Sequence, residues 1–145
     1  MLPAMTVHGI AIAFVFCGHH EMIHRTAFSS RRINDTIAFV TGFIVFYPAY
    51  YFRLFHYAHH RFTQDPERDP ELVYPPPTAP WAYVWWAVGI PYWHRRFGTS
   101  FIHAFTGRAK QPIVRDLEVA GCVAEVRWMW AGYIAIAIAS IAFES

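Results

Sequence analysis

Two clusters of histidine carry the chemistry this sequence could perform. The first is "HHEMIH", in which His20 and His24 stand at i and i+4. The second is "HYAHH", with His56, His59 and His60. On a helix, positions i, i+3 and i+4 share a face, so each cluster would present its imidazoles together. Imidazole suits iron, zinc, copper and nickel. It is also a neutral ligand, and burying several carboxylates beside an apolar phase would be costly.

Taken alone, His20-Glu21-Met22-Ile23-His24 reads as H-E-x-x-H. In a zinc protease the two histidines hold the metal and Glu21 activates a water. That design needs one further ligand and an open position, and a second cluster of three histidines exceeds it. An Asn-Pro-Asp-Gly-like segment, expected of an intramembrane site-two protease, is missing, and "QDPERDP" does not match its context. A transmembrane haem protein with paired histidines is another reading, but it leaves the adjacent His59 and His60 unexplained. His19 falls outside the repeated spacing and reads as a hydrogen-bonding neighbour or a solvated residue.

The elements that must position these clusters belong to a membrane protein. Of the 145 residues, 55% are hydrophobic and 19% aromatic, and only 15% are charged, against about a quarter in soluble domains. The net charge of +2 is too small to argue for nucleic acid. Every Lys and Arg lies between Arg25 and Arg127. Basic segments tend to stay cytoplasmic. The simplest topology therefore makes Leu2–Gly18 and Trp128–Phe143 membrane crossings, with the basic middle on the cytoplasmic face. Both stretches sit at the short end of the roughly 17–25 residues that a crossing needs. No basic n-region or small-residue cleavage pattern marks a signal peptide.

Between the crossings, Arg25–Asp35 reads as a polar connector, with Asn34 or Asp35 as cap of the next helix. Thr36–Phe55 is apolar enough to cross, but Pro48 interrupts it. A crossing there would put His24 and His56 on opposite faces, so an in-plane segment is expected. His56–Pro80 begins as a helix and ends in the proline-broken "QDPERDPEL" and "YPPPTAP". Trp81–Trp93 is too short to span, and Pro91 is expected to break it. Tyr50, Tyr51, Trp85 and Trp86 read as interfacial anchors. Thr99–Val126 should include an amphipathic helix. Cys17 and Cys122 fit no metal or redox motif and read as reduced, buried packing residues. His8 reads as a histidine facing other helices.

H-x-x-x-H followed some thirty residues later by H-x-x-H-H resembles the first two histidine boxes of the membrane fatty acid desaturase family. The flanks "HEMIHRTAF" and "YYFRLFHYAHHRFTQDPERDPEL" strengthen the resemblance, which covers roughly residues 8–72. It implies a single all-α membrane domain over residues 1–145. Such a domain has transmembrane helices, interfacial helices and a histidine-bearing cytoplasmic cap. It also implies a di-iron site, with His20 and His24 from the first box and His56, His59 and His60 from the second. O2 would be the co-substrate, a membrane lipid or acyl chain the substrate, and ferredoxin or cytochrome b5 the electron donor. Glu21 becomes the spacing between two ligands. Hydroxylation or ketolation of an alkane, sterol or carotenoid is the alternative within the same box architecture. The family carries a third box downstream, whereas only His94 and His103 follow here. The chain therefore reads as a fragment with two boxes, incomplete for catalysis, or as a non-catalytic membrane remnant.

Overall fold

A computed structural model describes residues 1–73, 77–109 and 111–144. Positions 74–76, the first three residues of "YPPPTAP", lie outside the described residues. The described chain is helical, with no strand: α1 (Leu2–His24), α2 (Arg31–Ile44), α3 (Ala49–Phe62), α4 (Pro80–Ala87), α5 (Ile90–Thr106) and α6 (Asp116–Glu144). A 3-10 turn at Pro70–Val73 follows α3. The chain forms two compact units, Met1–Leu54 and Phe55–Ser145.

The first unit holds α1, α2 and the start of α3. Helix α1 is apolar on all sides, as a lipid-facing helix must be. Its 23 residues give a length of about 34 Å at 1.5 Å per residue, enough for a hydrocarbon layer of about 30 Å. The first histidine pair therefore belongs to the crossing helix itself, beyond the expected end at Gly18. Only His19 and Ile23 are buried along it. His8 and Cys17 are exposed, which corrects the expectation that both face protein: the buried residues of α1, His19 and Ile23, lie nearer its C-terminal end.

Helix α2 is capped by Ser30, whose Oγ accepts from Ile33 N at 3.4 Å. The cap expected at Asn34 or Asp35 thus falls earlier, because those two side chains are engaged elsewhere. Asn34 is fully buried. Its Nδ2 donates to the carbonyls of Phe28 (2.6 Å) and Ser30 (2.8 Å), and its Oδ1 accepts from Phe28 N (3.2 Å). It ties the connector to the helix that follows.

Helices α2 and α3 meet at 100°. Phe46 takes a left-handed φ of 53°, and the carbonyl of Pro48 accepts from Phe52 N at 2.9 Å to open α3. A proline placed just before the first turn of a helix costs no helical hydrogen bond. The bend at residues 45–48 keeps α2 and α3 from forming one straight crossing.

In the second unit, Pro91 occupies the first turn of α5. It starts a helix where it was expected to break one, since proline's missing N–H is harmless there. The break falls instead at Val88 and Gly89, and Gly89 has a φ of 70°. Helix α5 is amphipathic but begins at Ile90, ahead of the Thr99–Val126 stretch where such a helix was expected, and it ends at Gly107, with a φ of 67°. It packs on α6 through a polar seam. Trp130 Nε1 donates to Ser100 Oγ (2.9 Å), and Arg127 Nε donates to the Ala104 carbonyl (2.8 Å). Cys122, Val123, Val126 and Met129 are buried. Helix α6 starts before the expected crossing, and its Asp116–Phe143 stretch is long and apolar enough to span. Trp81, Trp85 and Trp86 of α4 stand exposed.

Candidate metal centre

The first histidine pair lies on the last turns of α1. His20 and His24 face the same way, with ring centroids 4.7 Å apart. What holds this helix end is a charged knot. Arg25 caps α1 in a left-handed conformation, and its Nε and Nη2 donate to Asp35 Oδ1 (2.9 Å) and Oδ2 (2.8 Å). Arg53, from the start of α3, donates through Nη2 to the same carboxylate (2.6 Å) and through Nε to the Ile23 carbonyl (3.1 Å). That carbonyl is one of the acceptors a helix leaves unmatched at its C-terminus. Arg53 therefore sets the register of α3 against the histidine-bearing end of α1.

His19 is not a member of the pair. Its ring is fully buried and stacks on Phe52 at 5.4 Å. Its Nδ1 lies 3.0 Å from Thr41 Oγ1. The single Thr41 hydroxyl proton goes to a helix carbonyl, Ile37 O at 2.8 Å, so Thr41 accepts and His19 Nδ1 donates. Gly42 makes room for this ring. A Cβ there would meet the Tyr47 carbonyl oxygen at 2.5 Å and His19 Cε1 at 2.9 Å.

The second cluster lies on α3, one unbroken helix from Ala49 to Phe62. Phe52, His56 and His60 recur at i, i+4 and i+8 and share a face. Phe52 lies 6.5 Å from His20 by ring centroid. The Nε2 atoms of His56 and His60 stand 2.9 Å apart. Metal–nitrogen bonds of about 2.0–2.1 Å put two cis ligands about 3 Å apart, so this pair has a chelating separation. The donor set is neutral imidazole, which suits iron among other metals.

His59 is held differently. Its Nδ1 lies 2.9 Å from Asp69 Oδ1. Asp69 has a fully buried side chain and also accepts from the backbone N–H groups of Gln64 (3.0 Å) and Glu71 (2.9 Å). Burial pushes the Asp69 pKa up, but the hydrogen bonds from His59, Glu71 and Gln64 outweigh it and hold the carboxyl below its usual range. The turn that delivers Asp69 is built by Asp65. Asp65 Oδ1 accepts from Glu67 N (3.0 Å) and Arg68 N (3.2 Å), and the Asp65 carbonyl accepts from Asp69 N. Asp69, Arg53 and Thr41 were not singled out from sequence. The one available signal for Asp69 was a paired Asp-Pro turn directly after the histidines.

Glu21 is exposed. Its carboxylate accepts from Thr26 Oγ1 at 2.9 Å, and His20 Nδ1 lies 3.4 Å away.

The model of the family described as "Fatty acid desaturase" matches residues 1–143. The chain belongs to the fatty acid desaturase family. No curated protein and no solved structure matches it. Family membership and two membrane-length helices make this desaturase-family chain an all-α membrane protein. The matched range extends past the two histidine boxes, and past residues 8–72 on which the sequence resemblance rests, to take in α4, α5 and α6.

Proposed function

We propose that the chain serves O2-dependent desaturation of a fatty acyl chain, with His20, His24, His56, His59 and His60 as ligands of a di-iron site. The observation that carries this reading is the family match, which spans both histidine clusters. Further support comes from His20, His24, His56 and His60, each of which offers one ring nitrogen to a metal.

The iron would supply reductive activation of O2. In balance, an acyl –CH2–CH2– unit loses two hydrogens to become –CH=CH–. Two electrons arrive one at a time from a donor such as ferredoxin or cytochrome b5, two protons come from solvent, and O2 leaves as two waters. The chain's own residues hold the imidazoles. Arg53 and Asp35 brace the end of α1, Phe52 packs beside His19 and His20, and Asp69 orients His59. Glu21 acts as a surface group and not as a base. Arg25, Arg31, Arg32 and Arg53 flank the histidines, which favours the cytoplasmic face for both clusters. The right-angled bend between α2 and α3 suits an in-plane segment along that face.

The test is lipid analysis of a host expressing the gene, beside the His56→Ala variant. New unsaturated acyl chains that vanish in the variant support the reading. Oxygenated products would move the reaction to hydroxylation or ketolation, and an unchanged lipid profile would sink it.

A further inference from the structure

We propose that Asp69 is a positioning residue for His59, fixing its ring with a proton on Nδ1 and leaving Nε2 as the atom offered to a metal. This rests on the histidine–metal reading above.

The argument begins with burial. The Asp69 side chain is fully shielded from solvent, and a buried carboxylate is tolerated only when its oxygens are matched by donors. Three donors converge on it: Gln64 N on Oδ2, and Glu71 N and His59 Nδ1 on Oδ1. An ionised carboxylate only accepts, so Nδ1 of His59 must carry a proton. In the neutral ring Nε2 then keeps its lone pair. Metal-bound histidines commonly donate their second ring N–H to a carboxylate in this way, which sets both tautomer and ring direction.

Asparagine could not do the same. With its oxygen toward Gln64 N, its amide would face Glu71 N and donate to His59 Nδ1, forcing the ring proton to Nε2. Turned the other way, its amide would meet Gln64 N, donor against donor. The site thus calls for a group with two accepting oxygens, and its purpose reaches beyond closing the turn, because the tautomer of His59 depends on it.

The test uses the full chain in detergent micelles with 15N-labelled histidine. The His59 signal is assigned by its loss in His59→Gln. In the metal-free, unsubstituted chain, His59 should show the Nδ1–H tautomer, and Asp69→Asn should shift it toward Nε2–H. Titration with Co(II) should show affinity falling about 10- to 100-fold in Asp69→Asn, with helical content unchanged. A neutral His59 protonated at Nε2 in the unsubstituted chain would overturn the inference without any variant having to fold. So would unchanged Co(II) affinity in Asp69→Asn when His56→Ala weakens it, and that result would leave the metal reading standing. Absence of Co(II) binding by the unsubstituted chain would overturn the metal reading itself, and the role of Asp69 with it.

Discussion

His56 and His60 point their Nε2 atoms at each other across 2.9 Å. Two such nitrogens must share a proton or turn their lone pairs to a common cation. A ligand that binds only the folded chain adds RT ln(1 + [L]/Kd), about 2.7 kcal/mol at a hundredfold excess over Kd. Co(II) or anaerobic Fe(II) should therefore raise the thermal midpoint of the detergent-solubilised chain. His60→Ala should abolish most of that rise. An equal rise in the variant would mean that the metal sits elsewhere.

The tie between Arg53 and the end of α1 should be visible in stability. Arg53→Ala removes the donor to the Ile23 carbonyl and one of the two guanidinium partners of Asp35. Charged hydrogen bonds contribute about 1.5–3 kcal/mol each, and Asp35 is 41% exposed, so screening reduces its share. A loss of about 2 kcal/mol is expected in denaturant titration. Arg53→Lys should recover only part of it, since an ammonium has no fork to serve a carbonyl and a carboxylate together.

Gly42→Ala probes the seat of His19. The added methyl would meet a backbone oxygen, which has no rotamer by which to yield. Overpacking of this kind costs about 1–3 kcal/mol. The same substitution at Gly98, where an added Cβ meets nothing within 4 Å, should be neutral or slightly stabilising. Equal effects at the two sites would refute the packing argument.

His103 gives a pH dependence with a definite sign. Burial pushes its pKa down, against the hydrogen bond to Gln111 Oε1, which raises it. The unfolded chain keeps an ordinary imidazole near 6.5. Below that value the unfolded state binds a proton that the folded state resists. Stability should fall as pH drops from about 6.5 toward the lowered folded value. Thermal midpoints between pH 7.5 and 5 should fall less steeply in His103→Gln than in the parent.

Much of the site could be read from the chain because its signal is local. His20 with His24, and His56 with His60, are placed on their faces by helical period alone. Three errors share a different cause. Ser30 caps α2 because Asn34 is drawn to the Phe28 and Ser30 carbonyls. Pro91 begins a helix because Gly89 ends the one before it. Cys17 is exposed because α1 meets the rest of its unit nearer its C-terminal end, at His19 and Ile23. Each outcome depends on what a neighbouring segment does with its hydrogen bonds or its surface, and spacing does not report that. Asp69 is hidden for the opposite reason: its chain neighbourhood reads as an ordinary turn.

That turn bears on how the chain acquires its site. His59 and Asp69 are ten residues apart, and Asp65 braces the turn through partners two to four residues away. Closing so short a loop costs little entropy and takes well under a microsecond. The orientation of His59 can therefore be complete before any long-range helix pairing. A correctly aimed imidazole thus needs only its own stretch of chain.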